Sequence, residues 1–233
     1  MPASTDQSIN LYGDRLVPTT GRHGINVSSQ RIDELDTACL DFVRECVEQG
    51  RAPNVIDIGG GNGAHARRMA ELGANITLVD LSDQGQAIEA FNTALGRMAI
   101  RFRQADVRSV DLATLSPPVD LIYSQRMMGC IRYGELRRLL RSLSGHSHLG
   151  ARCFISASGL DTEYGATYPH RDRPVSRRFA PIAPDLALKH QMYAPECLYR
   201  EHELAELVAG AGFTVLKSWR SLFGTPKIIG ERQ

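Results

Sequence analysis

The sequence predicts an α/β fold, a doubly wound and mostly parallel seven-stranded sheet with a C-terminal antiparallel hairpin. Three observations predict it. A strand-like run at residues 53–58 leads directly into a glycine cluster and then into a helical pattern. Strand-like and helix-like segments alternate from there to about residue 157, which is typical of a parallel sheet covered by helices on both faces. Two further strand patterns, 213–219 and 222–230, follow closely on each other and predict the hairpin.

Each element follows from its local pattern. An irregular arm at residues 1–27 precedes a helix whose apolar residues recur at helical spacing and which ends at Gly50. The remaining predicted strands are 75–80, 98–104, 119–123 and 151–157. The later helices are predicted from the glycine cluster to Gly73 and at 82–95, 133–143 and 200–211.

Residues 158–198 interrupt this alternation and predict a lid inserted before the last helix. The first half of the segment is rich in turn formers, and the segment is too long for a simple connection. Apolar residues such as Phe179, Ile182 and Met192 predict that it is partly ordered. We therefore expect residues 1–233 to form a single domain that carries an arm and a lid.

Composition excludes several classes of protein. With 233 residues, 42% hydrophobic content and a formal net charge of +1, the chain is typical of a globular domain, and a near-neutral charge argues against nucleic-acid binding. No apolar stretch reaches the roughly 18 residues of a spanning helix, and the start lacks a secretory signal. We expect a cytoplasmic protein with no membrane partner. The five cysteines form no C-x-x-C pair, and no metal site is predicted. The oligomeric state is left open.

The glycine cluster, Asp57-Ile58-Gly59-Gly60-Gly61-Asn62-Gly63, predicts a tight turn that faces a nucleotide-like ligand. Gly59-x-Gly61-x-x-Ala64 also satisfies the dinucleotide pattern, and Asp80 lies where that pattern has its ribose-binding acid. A carboxylate at Asp57, however, would repel a pyrophosphate. S-adenosylmethionine has no phosphate and carries a cationic sulfonium and amino group, so Asp57 favours that ligand.

With this motif the chain resembles the class I S-adenosylmethionine-dependent methyltransferases, whose first motif is an acidic residue followed by x-G-x-G-x-G. The resemblance covers roughly residues 53–230 and implies S-adenosylmethionine as cofactor, a methyltransferase activity and S-adenosylhomocysteine as product. It also implies the cofactor-binding residues. These are Asp57, Gly59 and Gly61 in the first motif, Asp80 at the ribose, Leu81, Asp106 and Val107 at the adenine, Ser124 and Gln125 near the reaction centre, and Tyr12 over the methionine end.

Beyond strand four the chain departs from one branch of that family. Methylases of nucleic-acid and protein amines often carry (N/D)-P-P-(Y/F) there, whereas this chain has Ser124-Gln125-Arg126-Met127-Met128. The departure favours a small-molecule acceptor, with oxygen, nitrogen and carbon all open as the methylated atom. Arg126 is a predicted catalytic residue.

The lid supplies the predicted base and substrate contacts. His170 is the leading base because imidazole titrates near neutral pH. Tyr164, Arg171, Arg177 and Tyr193 are predicted to bind substrate. Arginine pairs with carboxylate or phosphate in bidentate fashion, so an anionic acceptor is the hypothesis, with a solvated basic surface as the alternative.

Two other functions fit the sequence. The glycine spacing and Asp80 also suit an NAD(P)-dependent oxidoreductase. A protein that binds S-adenosylmethionine for sensing, or for chemistry other than methyl transfer, would carry the same motif.

Overall fold

The computed structural model describes residues 14, 15, 24, 25, 27 and 29–233. Tyr12 and most of the predicted arm therefore lie outside the described residues. The helices are α1 (Glu34–Glu48), α2 (Ala64–Glu71), α3 (Gly85–Leu95), α4 (Leu112–Leu115), α5 (Tyr133–Gly145), α6 (Pro184–His190) and α7 (Glu201–Ala209). The strands are β1 (Asn54–Ile58), β2 (Asn75–Asp80), β3 (Ile100–Gln104), β4 (Val119–Ser124), β5 (Ser147–Ser156), β6 (Phe213–Arg220) and β7 (Pro226–Arg232). None of these helices combines the length and apolar composition needed to cross a bilayer.

The strands form one seven-stranded sheet in the order β3-β2-β1-β4-β5-β7-β6, which confirms the predicted fold class. Neighbours from β3 to β5 are parallel. β7 is antiparallel to both β5 and β6, so it lies between them and joins the hairpin to the parallel sheet. Strand order reverses between β1 and β4, and in open α/β sheets the crevice at such a switch point binds ligands.

Several element bounds differ from prediction. β5 begins at Ser147, earlier than the predicted 151, and β7 begins at Pro226, later than the predicted 222. The delay in β7 follows from a turn in which Gly224 N–H donates to Ser221 O at 2.9 Å and Ser221 N–H donates to Thr225 O at 2.9 Å. The short helices α4 and α6 were not predicted.

α1 begins at a capping box that Asp33 and Asp36 form. The Asp33 carboxylate accepts from Leu35 N–H at 2.9 Å and Asp36 N–H at 3.3 Å, and the Asp36 carboxylate accepts from Asp33 N–H at 2.8 Å. Each bond satisfies a backbone donor that a helix start leaves unpaired. Gly50 follows the helix at φ 76°, the left-handed conformation that ends many helices.

Apolar side chains bury both faces of the sheet. One cluster combines α5 and α7 with β4 and β5, and includes Leu140, Ile155 and Leu204. The second combines α1, α2 and α3 with the other face of β1 and β2, and includes Val43 and Leu78. Two opposed layers of core therefore fix the strand ends that surround the switch point.

Segment 158–198 packs around a third, smaller cluster of its own. Its members are Leu160, Tyr168, Ala180, Ile182, Ala187, Met192 and Leu198. The buried Arg178 anchors the segment to α7 through Glu203, with Nη1 2.6 Å from Oε2. This segment therefore has a fixed shape where it covers the sheet.

Asn92→Ala should destabilise the protein, because the buried Asn92 amide joins α3 to β3. Its Oδ1 accepts from Ala99 N–H at 3.1 Å and Ile100 N–H at 3.0 Å, and its Nδ2 donates to Ile100 O at 2.8 Å. Leaving these backbone groups unpaired should lower the free energy of unfolding by about 1–3 kcal/mol in urea titration. The matched variant Thr93→Ala, at an exposed neighbour, should change it by about 0.5 kcal/mol or less. Equal effects would contradict the assignment.

Candidate functional site

A cavity of about 1040 Å³ opens at the carboxyl ends of β1, β2 and β4. Its floor is the glycine turn after β1, and the start of α1 and Lys227 of β7 form one wall. The lid segment contributes the opposite wall through Ser158, Thr162, Tyr164, His190, Met192 and Glu196. The cavity therefore lies at the topological switch point, beneath the lid.

The glycine turn is tight on one side and open on the other. A Cβ at Gly60 would lie 2.2 Å from Leu78 Cδ1 and 2.6 Å from Asp57 Oδ2, so a side chain does not fit there. Gly61 has φ 56°, and a Cβ at that position would meet no atom within 4 Å. A ligand can therefore approach the backbone at Gly61 while the turn stays closed over the sheet.

Asp57, at the base of this turn, is a buried carboxylate without a hydrogen-bond partner. It is 1% exposed, and neither carboxylate oxygen is hydrogen-bonded within the described part of the chain. Burial, reinforced by the charges of Asp80 and Asp36, raises its pKa to about 8. An unpaired buried carboxylate is costly, and a cationic ligand group would compensate it.

The predicted ribose and adenine residues follow at the next two strand ends. Asp80 accepts from Gly61 N–H at 2.9 Å and from Ser82 N–H at 2.8 Å, which fixes its carboxylate at the edge of the cavity. Leu81 is exposed beside it. Asp106 also lines the cavity, but Arg108 pairs with it at 2.5 Å, and that hydrogen bond holds the pKa of Asp106 below its usual value.

These residues fit S-adenosylmethionine better than a dinucleotide. Asp57 and Asp80 lie at the turn where a pyrophosphate would bind, and the pKa of Asp57, about 8, shows that additional negative charge is already unfavourable there. The orphaned Asp57 carboxylate and the open backbone at Gly61 suit a ligand with a cationic end. The donor set therefore agrees with the cofactor that the sequence favours.

Across the cavity, a buried lysine neutralises the start of α1. Lys227 is 2% exposed, with Nζ 2.7 Å from Asp33 Oδ2 and 3.0 Å from Glu34 Oε2. Gln125 Nε2 donates to the same Asp33 oxygen at 2.7 Å. Burial would raise the pKa of Asp33, but the hydrogen bond and charge of Lys227 outweigh it and lower the pKa. Arg126, at φ 68°, lies 3.9 Å from Asp33 and also lines the cavity.

His65 and Tyr123 connect the cofactor side of the cavity to α1. Their rings stack at 4.2 Å, and Tyr123 Oη donates to Asp36. Burial lowers the pKa of His65 to about 4, so the imidazole is neutral at pH 7. His65 thus packs at the cavity floor as a neutral ring.

The other predicted site residues separate into two groups. Besides the residues already described, Gly59, Val107 and Tyr164 line the cavity, whereas Ser124, His170, Arg171, Arg177 and Tyr193 do not. Ser124 is buried behind the floor and donates to Ile58 O at 2.8 Å. Arg171 holds the lid by donating to Leu160 O and Gly165 O at 2.8 and 2.7 Å. The functional roles of all these residues stay predictions.

The sequence analysis did not identify three charged residues of the cavity as site residues. Asp33 and Lys227 lie far apart in the chain and in no motif, and Glu196 is an isolated acid in the lid. The cap position of Asp33 before a helical pattern was a usable signal for a helix start, although it carries no information about the cavity.

Residues 30–218 match the sequence model of the family described as "Methyltransferase domain". No curated protein sequence gave a match.

Solved structures share the fold. An O-methyltransferase family protein from Burkholderia thailandensis is 20% identical with a TM-score of 0.58, over 85% of this chain and 56% of that one, so this chain spans little more than half its length. The 1,6-didemethyltoxoflavin-N1-methyltransferase of the same organism was solved with 1,6-didemethyltoxoflavin and S-adenosylhomocysteine. It is 18% identical with a TM-score of 0.60, and the match covers 86% of this chain and 79% of that one. An S-adenosylmethionine-dependent methyltransferase from Clostridium acetobutylicum is 13% identical with a TM-score of 0.61, and the match covers 86% of this chain and 92% of that one.

Gly60→Ala should impair both folding and ligand binding, because its methyl group would displace Leu78 and the Asp57 carboxylate. We expect a loss of about 1–3 kcal/mol in unfolding free energy and at least a tenfold weaker affinity for S-adenosylhomocysteine in calorimetry. The control Gly96→Ala introduces a side chain at φ 73° with no atom within 4 Å, far from the turn. It should lower stability by about 1 kcal/mol and leave affinity unchanged. Similar affinities for the two variants would contradict the role of Gly60.

Asp57→Asn should stabilise the ligand-free protein increasingly as pH rises. The folded-state pKa of about 8 lies above the ordinary value of 3.8, so the folded chain retains a proton that the unfolded chain has lost. The stability that this group contributes is therefore fully present below about pH 4 and lost by about pH 8. Asparagine does not ionise, so the gap in melting temperature between variant and wild type should widen between those values. A gap independent of pH would show that Asp57 is not the buried acid described.

Proposed function

This chain belongs to the methyltransferase domain family, whose methyl donor is S-adenosylmethionine, and we propose that it methylates a small-molecule acceptor bound beneath the lid. The observation that carries the proposal is the unpartnered Asp57 carboxylate under a glycine turn that is open to the cavity. When bound, the cofactor supplies a methyl group on a cationic sulfonium and leaves as S-adenosylhomocysteine.

The residues around the turn support a division of roles. Asp57 compensates the cationic end of the cofactor, and the open backbone at Gly61 gives the cofactor its contact with the loop. Asp80, held by two backbone donors, keeps lone pairs free for the ribose hydroxyls. Leu81 and Val107 offer apolar surface to the adenine ring. Aligning the acceptor with the methyl carbon then supplies much of the acceleration.

The walls of the cavity favour a neutral or cationic acceptor with an apolar body. Apart from the predicted cofactor-binding residues and Met127, which lies against Gly59, the apolar lining includes Ile131, Met192 and Phe223. Of the described lining residues, Asp14, Asp33, Glu34, Asp41, Asp57, Asp80, Asp106 and Glu196 are acidic, whereas only Arg31, Arg108, Arg126 and Lys227 are lysine or arginine. All four of these cations have a carboxylate within salt-bridge distance.

This charge balance weakens the expectation of an anionic acceptor. That expectation depended on Arg171 and Arg177, which do not line the cavity. Arg171 instead donates to lid carbonyls, and Arg177 is exposed. The positions of Arg171 and Arg177 therefore favour the alternative interpretation, in which the basic residues of the lid form a solvated surface.

Calorimetric titration with S-adenosylhomocysteine, paired with reduced nicotinamide dinucleotide, tests the proposal. We expect saturable binding of the first and none of the second, since the acid-rich turn repels a pyrophosphate. Incubation with methyl-tritiated S-adenosylmethionine and a panel of phenols, amines and nitrogen heterocycles should then transfer label to an organic product.

Two results would overturn this assignment. Binding of the nicotinamide dinucleotide alone would make the protein an oxidoreductase. Binding of S-adenosylhomocysteine with no labelled product from the panel or from cell extract would favour a sensor, or chemistry other than methyl transfer.

A further inference from the structure

A second buried carboxyl group, Glu196, lies in the lid wall of the cavity, opposite the cofactor turn. Its side chain belongs to the lining although the residue is only 1% exposed. Oε2 accepts a hydrogen bond from Ser158 Oγ at 3.0 Å, and Oε1 accepts one from Cys130 Sγ at 3.3 Å. Among the described residues Glu196 forms no ion pair, so only neutral groups hold its carboxylate.

The surrounding backbone fixes this carboxyl group in place. Ala180 and Glu196 exchange backbone hydrogen bonds at 3.1 and 3.0 Å, and Tyr168 Oη donates to Glu196 O at 2.6 Å. A Cβ at Gly129 would lie 2.6 Å from Glu196 Oε2 and 2.9 Å from Ser158 Oγ. The glycine at 129 therefore leaves the space that the carboxyl group occupies.

The environment lets Glu196 exchange a proton near neutral pH. Burial raises its pKa to about 7, and the hydrogen bonds from Ser158 and Cys130 only partly oppose this shift. Burial, reinforced by the charge of Glu196, raises the pKa of the adjacent Tyr164 to about 12, so that phenol stays protonated. A proton acceptor poised near the working pH, with a hydroxyl donor beside it, is suited to general base catalysis.

The histidines at or near the cavity are less suited to accept a proton. His65 is stacked on Tyr123 at the cofactor floor. His190 lies 3.2 Å from Glu163 through Nε2, and Lys189 binds the same carboxylate at 2.5 Å. His170 does not line the cavity.

We propose that Glu196 accepts the proton that the acceptor loses on methylation, and that the acceptor atom is therefore an oxygen or nitrogen that carries hydrogen. The O–H or N–H bond breaks, its proton moves to a Glu196 carboxylate oxygen, and the remaining electron pair forms the bond to the methyl carbon. The carbon–sulfur bond of the donor breaks with its electron pair on sulfur. The carboxylic acid then releases the proton to water. This inference depends on the proposed methyl transfer and extends it to the class of acceptor.

Glu196→Gln is the first variant, because it keeps the shape and the hydrogen-bond acceptor for Ser158 but removes the base. Infrared difference spectra of the S-adenosylhomocysteine complex, wild type against variant, should show a protonated carboxyl band that disappears with a midpoint near pH 7. A Glu196 that does not change protonation between about pH 5 and about pH 9 would overturn the proposal, whether or not an acceptor is known.

Methylation kinetics on the panel acceptors supply the second readout. With Glu196→Gln, kcat should fall by about a hundredfold or more and lose its rise through neutral pH, while KM for S-adenosylmethionine is unchanged. Glu196→Asp should recover part of the rate together with the pH dependence, which a purely structural role would not produce. The comparison variant His190→Gln should keep that pH dependence.

The opposite pattern, with pH dependence lost in His190→Gln and kept in Glu196→Gln, would assign the base to His190 and overturn the proposal. Calorimetry with S-adenosylhomocysteine separates the two levels of inference. If the wild type binds no S-adenosylhomocysteine, the proposed methyl transfer itself fails. If Glu196→Gln binds it normally and methylates at the wild-type rate, only the role of Glu196 is wrong.

Discussion

The whole site depends on one unfavourable interaction, the burial of the Asp57 carboxylate without a partner at the end of the central strand. Its neighbours Asp80 and Asp36 increase the cost of ionising it. Position 60 requires glycine because the Asp57 carboxyl group and Leu78 occupy the space that a side chain would need. Ionising Asp57 in the ligand-free protein is therefore costly, and a cationic ligand group nearby would offset that cost.

The carboxyl groups of the cavity differ in the neighbouring groups that compensate their charge. Asp33 is neutralised by the buried Lys227, which makes the start of α1 a rigid wall. Glu196 is held by a hydroxyl and a thiol, which leave its charge free to change. Among the described residues Asp57 has no hydrogen-bond partner, and it lines the cavity. The same carboxyl group therefore stands in three different electrostatic environments, which its neighbours determine.

The sequence was sufficient for the fold and for bringing several of the predicted residues to one cavity, because topology brings the carboxyl ends of parallel strands together. Asp57, Asp80 and Asp106 lie on one cavity for that reason. The acceptor side depends on contacts that no local pattern encodes. Lys227 and Glu34 are 193 residues apart, and Cys130 and Glu196 are 66 apart. The sequence analysis interpreted Arg171 by its charge alone. A lid rich in turns, however, has backbone carbonyl groups that need hydrogen-bond donors, and Arg171 donates to two of them.

The position of β7 between β5 and β6 also sets the order in which a nascent chain assembles the site. β6 precedes β7 in the chain, yet in the described sheet β7 is its neighbour and is also the strand that joins it to β5. β7 also carries Lys227, so closure of the sheet and neutralisation of Asp33 are a single event. Until residues 226–232 emerge, β5 lacks its antiparallel neighbour and Asp33 lacks the lysine that forms its shortest ion pair. The part of the cavity wall that Lys227 forms is thus completed only after the glycine turn has been synthesised.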